Sequence, residues 1–198
     1  MNDTSYFDLV KDYLNTASQV NRQGDDDGTR YHLAQAAYAA GEIENDKTRR
    51  SALSIIAKQA VNVEYPELSQ QLARKLIHLD RKLNSTSWII TDILTYGSSL
   101  HLTGQHLEAA GVYRQAFDLA QEIKAWQKAA AASSNYAMAI AMQGELEEAQ
   151  NWLERSLEYL EKEPDADTAF RTRTTLIQLM YMRGQKPEEC FATARQLI

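Results

Sequence analysis

The sequence predicts an all-α chain of antiparallel helix pairs, and three observations carry that prediction. The 198 residues include eight Gly and three Pro, together about 6% and roughly half the usual share, so turns are few and helices long. Apolar residues recur at spacings of three and four in one segment after another, which is the stripe of an amphipathic helix. Gly104, Gly144 and Gly184 stand forty residues apart, each after an apolar helical stretch, and a fixed period of that size marks a stacked repeat.

Taken in order, Tyr6, Leu9, Val10, Tyr13, Leu14 and Ala17 form the first stripe. It stops in Gly24, Asp25, Asp26, Asp27 and Gly28, a run of turn formers. The second helix is expected over Arg30 to Ala40, capped by Thr29 or Asp27 and ended by Gly41. Leu53, Ile56, Ala57, Ala60 and Val61 make a third stripe, and Leu68, Leu72, Leu76, Ile77 and Leu79 a fourth, with Tyr65 and Pro66 breaking the chain between them. The polar cluster from Asn84 to Ser87 then separates a less regular half from a regular one that opens at Trp88. In that second half Ala109 and Ala149 follow their glycines by five residues, and Tyr113, Ala116 and Phe117 correspond to Leu153, Ser156 and Leu157.

These segments resemble tetratricopeptide repeats. In that family a small residue lies midway along the first helix, a Gly ends it, an Ala opens the second helix, and an aromatic and a small residue follow. Gly97, Gly104, Ala109, Tyr113 and Ala116 match in one repeat; Ala137, Gly144, Ala149, Leu153 and Ser156 match in the next. Ile93 and Ser133 stand where the family often has Trp, and a final pair keeps Gly184 with Cys190 at the small site. The resemblance implies a right-handed superhelix, an α-solenoid of about nine or ten helices. An irregular N-terminal pair would occupy 1–47, followed by repeats at 48–85, 86–126, 127–166 and 167–198 as one continuous solenoid domain. The forty-residue spacing is similar to that of the longer-helix members among bacterial regulators and light-chain-type adaptors.

Composition excludes several classes of function. With 27 acidic against 21 basic residues the net charge is −6, which speaks against a general nucleic-acid binder. No apolar run approaches the length needed to span a bilayer, and one cysteine suits a reducing compartment, so a cytoplasmic location is expected. His101 and His106 lie five apart across Gly104, a spacing not expected to put two imidazoles on one helical face, and neither has a third ligand at metal spacing. The Asp25 to Asp27 run lacks the acids that a calcium loop wants at Gln23 and Ala34. Ser98 has no nucleophile elbow and Cys190 no histidine close by in sequence. No catalytic residue, cofactor or metal ligand is therefore assigned, and no enzyme activity is expected.

What remains is binding. In the family the first helix of each pair forms the concave wall, and the register places there Leu94, Ser134 and Thr174; Ser98, Met138 and Gln178; and His101, Ala141 and Tyr181, with Leu102, Met142 and Met182 beside them. This wall is mildly apolar and nearly uncharged, which suits a protein or peptide with apolar anchors rather than a charged chain terminus. The expected function is an adaptor or scaffold; the alternative is a sensor that takes a short peptide or small molecule inside the superhelix. Trp88, Trp126 and Trp152 read as packing residues, Met138, Met142, Met180 and Met182 as core or binding surface, and Glu154, Arg155, Glu158 and Glu161 as solvated surface. An amphipathic end at Ala194 to Ile198 lacks a polar covering helix, so the expectations for that face are a second copy in a homodimer, a continuation into further chain, or a simple frayed end.

Overall fold

A computed structural model describes residues 1–185 and Glu188, and the expectations for Cys190 and for Ala194 to Ile198 lie outside that range. The described residues form α1 (Asp3–Arg22), α2 (Asp26–Gly41), α3 (Asp46–Asn62), α4 (Pro66–Lys82), α5 (Thr86–Leu102), α6 (His106–Glu122), α7 (Trp126–Ala141), α8 (Leu146–Lys162) and α9 (Ala166–Met182), with no strand among them. From α3 onward each helix begins twenty residues after its predecessor. The forty-residue period is thus two equal steps, and it runs through the N-terminal half as well.

The turns show why. Gly24, Gly104, Gly144 and Gly184 have φ between 75° and 90°, and Glu64, on the same forty-residue grid, has φ 61°. Each helix pair is closed by one residue in the left-handed region, where Gly has no Cβ to strain and Glu does. Asn84 and Lys124, forty apart, repeat the device between pairs with φ 51° and 56°. At Pro164 the ring forbids it. There Glu163 is extended and Asp165 caps α9, its carboxylate accepting the Thr168 N–H at 2.7 Å.

Two expectations change near the N-terminus. The turn after α1 is shorter than the run of Gly and Asp suggested, because Asp25 rather than Thr29 or Asp27 caps α2, accepting the Gly28 N–H at 2.8 Å. The first pair is regular. Thr29, Leu33 and Ala36 follow Gly24 at the offsets by which Ala109, Tyr113 and Ala116 follow Gly104, and all six are buried.

The helices fall into two compact units, Met1–Ser85 and Thr86–Ile198. In the first unit α3 and α4 share their core with α1 and α2: Val10, Leu14, Leu33, Ile43, Ile56 and Leu76 belong to one cluster. Polar ties connect these two pairs. Asp3 accepts the N–H groups of Glu44 and Asn45, both at 2.9 Å, and the Tyr65 hydroxyl donates to the Asp26 carbonyl at 2.9 Å. Where other pairs carry apolar residues, α3 and α4 carry a buried ion pair: Arg50 donates to both oxygens of Asp80, at 2.9 and 3.1 Å.

In the second unit the outer side of α6 and α8 is closed by an aromatic seam. Phe117 meets Trp152 edge-on at 5.0 Å, and Trp126 stacks on Tyr159 at 5.8 Å. Arg155, expected to be plain solvated surface, lays its guanidinium 4.9 Å from the Phe117 ring centre and 5.1 Å from that of Trp152. Its stem and plane cover rings that would otherwise meet water.

Two substitutions probe this architecture by urea denaturation. Glu64→Gly should stabilise the protein by about 0.5–1 kcal/mol, because relief of left-handed strain exceeds the added freedom of the unfolded chain. Gly97→Ala should cost about 1–3 kcal/mol, since a Cβ there would lie 2.5 Å from the buried Tyr113 ring.

Candidate functional site

The second unit presents a groove built by the C-terminal halves of α5, α7 and α9. Its lining is His101 from α5, Met138 and Ala141 from α7 with Met142 at its C-cap, and Thr175, Gln178, Leu179 and Met182 from α9. Residues forty apart become neighbours because successive first helices stack side by side. Met138, Met142 and Met182 are 38%, 58% and 60% exposed, whereas Met180 is in the core at 8%, so the methionines divide between surface and interior. Three flexible thioethers around a shallow groove form a wall that reshapes at little cost.

Of the twelve residues placed in or beside the wall columns, the groove brings together His101, Met138, Ala141, Met142, Gln178 and Met182. The others lie elsewhere. Ser134 is buried at 3% exposure, and Leu94 is half-buried one turn before Ser98. The Ser98 hydroxyl donates to the Leu94 carbonyl at 3.0 Å and accepts from Tyr113 at 3.3 Å, so its polar capacity is spent inside the helix pair. Burial holds the Tyr113 phenol at a pKa of about 12, which keeps it a neutral donor. Thr174 is exposed but bonds back to the Phe170 carbonyl at 2.9 Å, and Tyr181 is 67% exposed outside the groove lining.

The difference on α9 is a rotation. The projected stripe was Thr174, Gln178 and Tyr181, with Met182 beside it; the stripe that faces the groove is Thr175, Gln178, Leu179 and Met182. Sequence register missed Thr175 and Leu179, although their spacing of four, continued by Met182 at three, was the available signal.

His101 and His106 also depart from expectation. The Gly104 turn folds the start of α6 back beside the end of α5, and the two Nδ1 atoms approach to 3.2 Å, with ring centres 4.7 Å apart. One imidazole must donate to the other, so this contact exists when at least one ring is neutral. Burial first, and the charge on His106 second, lower the His101 pKa below its ordinary 6.5. Among the described residues no three His, Cys, Asp or Glu side chains gather as a metal site, and no helix is long and apolar enough to cross a membrane.

Residues 89–162 match the tetratricopeptide repeat family model. That match spans α5 to α8, so this segment is similar to tetratricopeptide repeats. Its fold is similar to that of a Rap protein solved in complex with Competence and Sporulation Factor, with TM-score 0.76, 14% identity, and coverage of 96% of this chain and 53% of that one. It is similar also to aspartyl phosphate phosphatase F from Bacillus subtilis, with TM-score 0.81, 11% identity, and coverage of 98% and 51%. A third likeness is to the TPR-like repeats of a putative kinesin light chain from Podosopora anserina, with TM-score 0.66, 14% identity, and coverage of 95% and 92%. The chain thus spans about half the length of the Rap structure and of the phosphatase. No curated protein sequence matches it.

Because the folded His101 pKa lies below the unfolded value, the unfolded chain takes up protons more readily near neutrality. The stability this histidine contributes is complete above about pH 6.5 and is lost as pH falls through the lowered folded value. The urea midpoint should fall on acidification over that window, and His101→Gln should reduce the fall.

Proposed function

We propose that this protein is an interaction module that captures an uncharged, apolar-anchored peptide segment of a protein partner in the groove of α5, α7 and α9. The observation that carries the reading is the lining itself. No Asp, Glu, Lys or Arg is among its residues, and three partly exposed methionines surround it. A charged ligand terminus would find no charge-assisted partner among those residues, whereas a helix or extended segment with apolar side chains would bury thioether and aliphatic surface. The repeat fold supports a scaffold role, since a stacked helical repeat presents an extended surface. We place the protein in the cytoplasm as an adaptor, and the single thiol in the sequence agrees with that setting.

The likeness to a Rap protein solved with Competence and Sporulation Factor supports a second reading, in which the captured segment is a signal and binding shifts the helix stack. An adaptor would hold one conformation with or without its segment; a sensor would populate two. Although one neighbour is called a phosphatase, likeness at 11% identity carries the fold and no chemistry, so the module is proposed as a non-catalytic one.

The test is selection of peptides from a displayed library against the folded chain, followed by calorimetric titration. Met138→Glu with Met142→Glu should weaken the selected peptides by at least about tenfold while circular dichroism stays unchanged. Undiminished affinity in that variant would move the site off the groove.

A further inference from the structure

A different surface, on α4 in the first unit, carries an inference independent of the groove. Lys75, His78, Arg81 and Lys82 are all exposed, and their spacing at three, three and one puts them along one side of the helix. Over seven residues at 1.5 Å per residue they form a basic strip about 10 Å long. The acid nearest them in the helix, Asp80, is turned inward and engaged by Arg50. Among the described residues Lys75, Arg81 and Lys82 are in no ion pair.

The repeat lattice supplies the control. Counting forty residues back or forward, the same four positions hold Gln35, Tyr38, Gly41 and Glu42 on α2, then Gln115, Asp118, Gln121 and Glu122 on α6, then Arg155, Glu158, Glu161 and Lys162 on α8. The backbone role is the same in each helix, so the charge on α4 is not a requirement of the fold. The helix dipole favours Arg81 and Lys82 in the last turn of α4 but does not account for Lys75 and His78 before it, and α2 and α6 end without any basic residue there. The three cations Lys75, Arg81 and Lys82 persist in a chain of net charge −6.

We propose that the outward face of α4 docks an acidic segment of a protein partner. Charge complementarity argues for the sign of the ligand. The size of the strip argues for its class: three permanent cations on one helix match a short run of carboxylates, whereas tracking a nucleic-acid backbone takes a longer basic path and a favourable overall field, which the acidic chain opposes.

The experiment follows fluorescence anisotropy of the full chain with a labelled Glu-rich peptide, an uncharged Gly-Ser peptide of the same length, and a single-stranded oligonucleotide of matched charge. The Glu-rich peptide should bind, lose affinity as salt is raised, and bind at least about tenfold more weakly to Lys75→Glu/Arg81→Glu/Lys82→Glu. The variant Lys11→Glu/Lys47→Glu/Lys124→Glu, with the same net charge, should bind nearly as the parent does. Should the α4 triple fail to fold, Gln at the same three positions is expected to give a smaller but clear loss. Absence of peptide binding, equal loss in both charge-reversed triples, or tighter binding of the oligonucleotide would each overturn the proposal. Met138→Glu/Met142→Glu should leave this binding intact, which separates the two surfaces.

Discussion

The structure depends on how closely the two helices of each pair approach. On the second helices Thr29, Ser69, Ala109 and Ala149 occur every forty residues and none is accessible. On the first helices Ala17, Ala57, Gly97 and Ala137 recur at the same interval, all buried. Small side chains at the crossing let backbones come together, and the larger Leu33, Tyr113 and Leu153 fill the space beyond it. Gly97 shows how little room remains, since the Tyr113 ring occupies the volume a methyl group would need. Once that approach is set, helix length and turn length have little freedom, and the twenty-residue step follows.

The same constraint positions the groove. Because hydroxyls ahead of the last turns of α5 and α7 are consumed by packing, as with Ser98 and Ser134, the surface left to a ligand lies toward their C-terminal ends. That end carries the methionines and the imidazole pair. Surface chemistry there is free to vary because it carries none of the helix contacts, and it does: the positions forty and eighty residues before Met142 hold Leu102 in the second unit and Asn62 in the first.

The fold was legible because its signals are local. A helix stripe, a turn glycine and a small residue at a crossing each leave a mark within a few residues, and a fixed period multiplies that mark. The parts that were harder to read had other causes. Glu64 occupies a left-handed turn that composition assigns to Gly, which hid the period in the first half. The His101 and His106 contact joins two helices, so spacing along one helix could not reveal it. The groove stripe on α9 is rotated from the projected one because register fixes which residues are equivalent, but not how far each helix turns against its neighbours.

By itself, then, the sequence determined the helical class, the repeat length and the identity of the packing residues, since these follow from periodicity and from side-chain volume at fixed intervals. Tertiary structure decided which polar and apolar side chains remain available. It withdrew Ser98 and Ser134 into helix contacts, divided the methionines between core and groove, and turned Asp80 away from the cations beside it. Availability depends on what a neighbouring helix covers, and that is settled by packing angles and rotamers rather than by any single segment.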